Sequence, residues 1–146
     1  MIREGNLTLW QERFRVASIA DFLVMKSYAL AKRDKPKDAY DICYCIYHHP
    51  KGMKQLASTW KKRLKSNLIQ DALSILRDKF SAVDQCGPNQ VMEFYNSSNR
   101  EERKMRARRA FELAQAFLTH ISQIKMDVEK RIYIIENVIL RGEYSK

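Results

Sequence analysis

The sequence predicts an all-α domain of about six helices, bundle-like and preceded by a short extended N-terminal segment. Three observations support this prediction. Apolar residues recur every three or four positions through most of the chain, which is the spacing of one helical face. Only four glycines and three prolines occur in 146 residues, too few for the many turns of an all-β fold. The 45% hydrophobic content is enough for a buried core and argues against disorder.

The first sixteen residues differ from the rest. Leu7 and Leu9, followed by Phe14 and Val16, alternate with other residues, which suggests one short strand. We interpret the chain as a single helical domain over residues 1–146. Within it, residues 1–16 form the extended segment, residues 17–66 form basic helices that carry the candidate motif, and residues 67–146 form a helical tail.

Two helices are predicted directly after this segment. Ser18 is expected to cap the first, because a serine oxygen can accept a hydrogen bond from the first turn. Its apolar positions are Ile19, Phe22, Leu23 and Leu30. Pro36 should end it near residues 33–35, since proline disfavours helical geometry in the preceding residue. The second helix should then stop at the sequence His49-Pro50-Lys51-Gly52.

The remaining helices follow from the same periodicity. A third helix is defined by Met53, Leu56, Ala57, Trp60 and Leu64, and a fourth starts at Ser66 or Asn67. Gly87-Pro88 is expected to break the chain before a short helix over residues 91–95. Ser97 or Ser98 should cap the longest helix, and a separate last helix is predicted to begin at Asp127.

The positive charge is unevenly distributed. The formal net charge is +10, and residues 26–65 contain eleven lysines and arginines against three aspartates. No acidic residue occurs from Ile42 through Gln70. Such a concentrated field favours polyanions, namely RNA, DNA or nucleoside triphosphates. The alternative is an ordinary solvated surface of a basic protein.

One part of this region, called here the basic stretch, is a candidate RNA contact. We expect it to grip an RNA backbone, such as that of a tRNA, without reading its sequence. Trp60 lies on its apolar side, and we predict that this residue belongs to the core and does not stack on a base. The basic stretch consists of Lys51, Lys54, Lys61, Lys62, Arg63 and Lys65.

A second group of residues has the chemistry of a nucleotide site. Lys26 and Arg33 are seven residues apart, and Lys37 is followed by Asp38 and Asp41. Nucleotidyl transfer requires cations to neutralise phosphate charge and carboxylates to hold Mg²⁺ or to orient the attacking group. Spacing alone favours a helix cap and surface ion pairs over such a site.

The segment KSYALAKRDKPKDAYD, residues 26–41, changes this interpretation. It resembles a motif in the second half of AbiEii/AbiGii-type nucleotidyltransferase toxins, bacterial abortive-infection proteins related in fold to the DNA polymerase beta superfamily. The resemblance is strongest over about residues 14–60. It implies that Lys26 contacts the triphosphate, that Arg33 and Lys37 brace phosphate or acidic groups, and that Asp38 and Asp41 complete the polar wall of the site. The agreeing positions are Lys26, Ala29, Leu30, Arg33, Lys37, Asp38, Asp41 and Ile42.

The sequence departs from this family in one respect. The Gly-Ser turn and the Asp-x-Asp pair, which bind the catalytic metal in this superfamily, do not occur in it. We therefore expect half of an enzyme, inactive and without a cofactor alone, that requires Mg²⁺ and a nucleoside triphosphate once a catalytic half completes it. A split subunit, a truncated gene and an excised domain remain open.

The missing half has consequences for partners. We expect a partner chain that completes the catalytic sheet, or a homodimer, to cover an apolar surface near Phe14, Val16, Phe22 and Leu23. The rival functions are a non-catalytic basic module that binds nucleic acid or a protein, and an inert remnant of a toxin gene.

The cysteines indicate no metal site. Cys43 and Cys45 point in divergent directions on one helix, so they cannot converge on zinc with the nearby histidines His48 and His49. Three cysteines without an apparent export signal predict reduced thiols and a cytoplasmic location. No apolar run reaches the length of a membrane span.

Overall fold

The computed structural model describes the backbone of residues 18–140 and the side chains of residues 18–122. The predicted all-α fold is confirmed, because this range consists of helices and connecting turns without a strand. The predicted extended segment, residues 1–16, lies outside the described residues. No helix within the described range is both long enough and apolar enough to cross a membrane. The helices are α1 (Ile19–Lys32), α2 (Pro36–His48), α3 (Met53–Lys62), α4 (Asn67–Lys79), α5 (Cys86–Tyr95) and α6 (Arg100–Leu140).

The boundaries of α1 and α2 follow from local chemistry. The Ser18 side chain accepts a hydrogen bond of 3.2 Å from the backbone N–H of Asp21, as the sequence predicts. Arg33 and Lys35 are extended, and Pro36 occupies the first position of α2. A proline there costs little, because the N–H that it lacks would have no partner inside the helix. The resulting three-residue link folds α2 back against α1.

Trp60 holds three helices together. Its side chain on α3 is fully buried, and its indole Nε1 donates a 3.0 Å hydrogen bond to the backbone oxygen of Ala20 on α1. Its ring also meets Phe117 on α6 edge to face, with ring centroids 5.4 Å apart. The prediction that Trp60 belongs to the core is therefore confirmed.

Gly87 and Pro88 do not break the chain, and this part of the prediction is wrong. Both lie in the first turn of α5, where a proline is tolerated. Gly87 is needed for packing: a Cβ atom there would lie 2.7 Å from the Phe80 ring and 2.8 Å from the carbonyl oxygen of Lys79. The glycine thus lets the start of α5 approach the end of α4 closely.

The two predicted C-terminal helices form one helix of 41 residues, α6. Asp127 lies inside it and caps nothing. Residues 122–127 contain neither glycine nor proline, so nothing in the backbone chemistry interrupts the helix there. The cap of α6 is also not a serine. The Asn99 side-chain oxygen accepts hydrogen bonds from the backbone N–H groups of Glu101 (2.9 Å) and Glu102 (3.2 Å).

The predicted apolar surface is only partly testable. Leu23 is fully buried, so it contributes nothing to an exposed surface and that part of the expectation is wrong. Phe22 is partly buried, and the Lys26 ammonium lies 5.4 Å from the centroid of its ring. Phe14 and Val16 lie outside the described residues.

Candidate functional site

A buried carboxylate forms the centre of the candidate site. Asp38, in the first turn of α2, is fully buried. Arg33 grips it with two parallel hydrogen bonds, from Nε to Oδ2 (2.7 Å) and from Nη2 to Oδ1 (2.8 Å). Lys26 adds a third, with its Nζ 3.1 Å from Oδ1. Two-pronged pairing of this kind fixes both the position and the orientation of the guanidinium group.

Lys26 also bridges to a second carboxylate. Its ammonium lies 2.8 Å from Asp41 Oδ2, and Lys37 approaches the same oxygen at 2.9 Å. The side chains of Lys26 and Asp41 are only 16% and 13% exposed, whereas those of Arg33 and Lys37 are 47% and 67% exposed. The structure thus brings together all five residues singled out in the sequence. They are called here the Asp38 network: Lys26, Arg33, Lys37, Asp38 and Asp41.

The link between α1 and α2 makes this geometry possible. Lys26 lies in the second half of α1, and Arg33 is the residue directly after its end. The extended backbone of Arg33 turns its side chain toward the start of α2, where Asp38 lies. A carboxylate in the first turn of a helix is also favoured by the positive end of the helix dipole. Asp38 and Asp41 are three residues apart, so both are on the side of α2 that meets Lys26.

The charges in the network stabilise one another. Hydrogen bonding to the Arg33 guanidinium, supported by Lys26, outweighs burial and lowers the pKa of Asp38 from 3.8 to about 2. The pKa of Lys26 is raised, chiefly by its hydrogen bond to Asp41. The pKa of Arg33 is raised by Asp38. All five groups are therefore charged near neutral pH, which leaves three cations and two carboxylates with a net charge of +1.

This arrangement suits an anion better than a metal ion. Both oxygens of Asp38 are occupied by cationic donors, so Asp38 has no face to offer to Mg²⁺. The cations that remain accessible, Arg33 and Lys37, can contact phosphate oxygens while the carboxylates keep them in place. Among the residues that the structure describes, no three His, Cys, Asp or Glu side chains converge as a metal site would require.

The basic stretch is largely at the surface. Lys51, Lys54, Lys62 and Lys65 are exposed. Arg63 is exposed too, but it forms an ion pair of 2.6 Å with Asp21. Lys61 differs, because its ammonium nitrogen is buried and has no hydrogen-bond partner in the described range. A solvent-facing role is therefore available to the other members of the stretch and not to Lys61 as the structure places it.

The cysteines and histidines of α2 have no common ligand geometry. Cys43 is buried, and burial raises the pKa of its thiol to about 12. The pKa of Cys45 is also raised by burial. Both thiols are therefore protonated near neutral pH, which is unfavourable for binding a metal. His48 instead packs against Tyr44, with ring centroids 4.3 Å apart.

A second concave site was not predicted from the sequence. It is a cleft of about 690 Å³ between α2, α5 and the first part of α6. Its α2 side carries tyrosines one turn apart, and its α6 side carries arginines three residues apart. A tyrosine stripe followed by an arginine stripe was visible in the sequence, but nothing there showed that they face each other. The residues of this tyrosine–arginine cleft used below are Tyr40, Tyr44, Tyr47, Tyr95, Arg106 and Arg109.

Fold and site together define an all-α protein with a cationic, carboxylate-braced site suited to phosphate groups. Comparison with protein families gives this class a name. The model of the family described as "Nucleotidyl transferase AbiEii toxin, Type IV TA system" matches residues 4–126. The chain therefore belongs to the AbiEii nucleotidyltransferase toxin family, and the match extends well beyond the motif in residues 26–41. Comparisons with curated proteins and with solved structures gave no match.

Proposed function

We propose that this chain supplies the phosphate-binding helical wall of a nucleotidyltransferase site. Lys26, Arg33 and Lys37 face the triphosphate of a nucleoside triphosphate. Asp38 and Asp41 act as positioning residues that hold these cations in a fixed array. The observation that carries the proposal is the two-pronged grip of Arg33 on a fully buried Asp38, which leaves a cationic surface of net charge +1 on a rigid base.

The roles differ from residue to residue. Asp38 is enclosed by Arg33 and Lys26 and acts only through them. Lys37 and Arg33 are the most accessible cations and make the outer phosphate contacts. Mg²⁺ would enter with the triphosphate and be held by carboxylates other than Asp38. The Asp-x-Asp pair that supplies such carboxylates in this superfamily is absent from the sequence, so a catalytic half must provide them.

Triphosphate binding tests the proposal without requiring turnover. Isothermal titration of the chain with a nucleoside triphosphate should show binding that Lys37→Gln and Arg33→Gln each weaken severalfold. Lys35→Gln is the matched control, because Lys35 is an exposed lysine of the same link and forms no ion pair with a described residue. Equal weakening by Lys35→Gln and Lys37→Gln would reduce the effect to overall charge and contradict the proposal.

A second candidate function rests on the exposed lysines of the basic stretch. In this alternative the chain is a non-catalytic module that binds nucleic acid through Lys51, Lys54, Lys62 and Lys65. The titration above separates the two functions, because a module of this kind needs no triphosphate site at Arg33 and Lys37.

A further inference from the structure

The tyrosine–arginine cleft lies on a different face of α2 from the Asp38 network. Asp38 and Tyr40 are two residues apart, which places them about 200° apart around a helix. Tyr40, Tyr44 and Tyr47 are separated by four and three residues and so share one face. Helix α2 therefore presents charged groups on one side and tyrosines on another, and the cleft needs an account of its own.

The tyrosines present aromatic surface to solvent. The side chains of Tyr44 and Tyr47 line the cleft, and these residues are 51% and 72% exposed. Behind them, the Tyr40 ring stacks on Phe94 with centroids 4.0 Å apart, and Tyr95 meets Tyr40 edge to face at 5.7 Å. The exposed rings thus rest on a packed aromatic base. Such exposed aromatic surface on a fixed support is unusual unless something stacks on it.

The opposite wall provides positive charge at a fixed height. The Arg106 guanidinium lies 3.8 Å from the centroid of the Tyr95 ring and 3.5 Å from Glu102. Its Nε is buried and has no hydrogen-bond partner in the part of the chain that the structure describes. Arg109, one turn further along, is exposed and forms no ion pair with any described residue. The cleft therefore combines aromatic faces with cationic donors that have capacity for an anion.

We propose that this cleft binds an unpaired nucleotide of a single-stranded nucleic acid. A base would stack on Tyr44 or Tyr47, and the adjoining phosphate would contact Arg106 and Arg109. Stacking on aromatic side chains combined with arginine contacts to the backbone is how proteins hold single strands without reading sequence. A duplex does not fit, because its bases are already stacked on each other. The cleft volume of about 690 Å³ accommodates a nucleotide.

Anisotropy of a labelled single strand of about eight nucleotides, a length within the range held by single-strand binding proteins, provides the test. The double variant Tyr44→Ala/Tyr47→Ala should lose about tenfold in affinity, the scale of one lost stacking contact. Tyr44→Phe/Tyr47→Phe keeps both rings and should retain wild-type affinity. Arg109→Gln should weaken binding and reduce the slope of log affinity against log salt by about 0.7, the contribution of one phosphate contact to a single strand. Arg77→Gln, an exposed arginine on α4, is its control.

Further arms identify the source of the nucleotide and separate other surfaces. A duplex of the same sequence should bind without any loss in the Tyr→Ala variant. A free nucleoside monophosphate should compete poorly, and competition equal to that of the strand would overturn the proposal in favour of a free nucleotide. The loss should persist when Lys54, Lys62 and Lys65 are changed to glutamine, which excludes the basic stretch. No variant touches the Asp38 network, so failure here leaves the proposed function standing. Equal affinities of the Ala and Phe variants, or no binding of the strand by the wild type, would overturn the proposal.

Discussion

At the scale of single residues, Asp38 organises the candidate site. A buried carboxylate is stable only if other groups compensate its charge, and Arg33 and Lys26 do so with three hydrogen bonds. The motif in the sequence suggested which residues would be involved. It did not show that Asp38 would be enclosed while Lys37 stays exposed, because this depends on the extended link that turns Arg33 toward α2.

Removing Asp38 should cost stability as well as binding. We expect Asp38→Ala to lower the free energy of unfolding by about 2–4 kcal/mol, because it leaves Arg33 and Lys26 without their shared partner. Asp78→Ala is the control, since Asp78 is an exposed aspartate with no hydrogen bond to a described side chain, and such changes stay within about 0.5 kcal/mol. Urea unfolding measures both. Similar losses in the two variants would show that the Asp38 network does not stabilise the fold.

The same carboxylate predicts a pH dependence. The pKa of Asp38 is about 2 in the folded chain against an ordinary 3.8. Between these values the unfolded chain binds more protons, so stability falls as the pH is lowered. The contribution, about 2 kcal/mol, is complete above about pH 4 and is lost as the pH approaches about 2. In urea titrations, the difference between wild type and Asp38→Asn should shrink over this window, whereas a constant difference would contradict the assigned pKa.

At the scale of helices, the sequence predicted elements better than their ends. Ser18 and Pro36 determine the limits of α1 and α2 through local chemistry, so periodicity and capping rules were sufficient. Gly87 was misjudged because its role is to contact Phe80, a long-range fact that a turn rule cannot contain. The tyrosine–arginine cleft was missed for a similar reason, since its walls come from three helices that are distant in sequence.

Helix α3 and the residues after it allow a test of the basic stretch. If this surface contacts RNA backbone, changing Lys54, Lys62 and Lys65 to glutamate should remove most binding and leave the helical circular dichroism unchanged. Lys61 is omitted because its ammonium is buried. With four phosphate contacts, log affinity should fall with log salt at a slope of about −3. A flat salt titration, or unchanged affinity in the triple variant, would make the stretch an ordinary solvated surface.

At the scale of the whole molecule, the chain combines a packed helical core with two candidate sites that share α2. Membership of the AbiEii nucleotidyltransferase toxin family explains the conjunction of Lys26, Arg33, Lys37, Asp38 and Asp41. The Asp-x-Asp pair that the family's first half carries is missing from the sequence. Incubated with labelled nucleoside triphosphate, Mg²⁺ and RNA, the chain alone should therefore leave the label free. Labelling of RNA or protein that survives purification would refute this.

The central claim is that the Asp38 network faces the phosphates of a nucleotide. Amide chemical-shift mapping during titration with a nucleoside triphosphate locates the bound anion most directly. We predict that the largest shifts belong to Lys26 and to residues 33–41, and that Arg33→Gln abolishes them while its amide spectrum elsewhere remains that of the folded chain. Shifts confined to the basic stretch, or no shifts at the end of α1 and the start of α2, would contradict the claim and leave the network as a structural clamp.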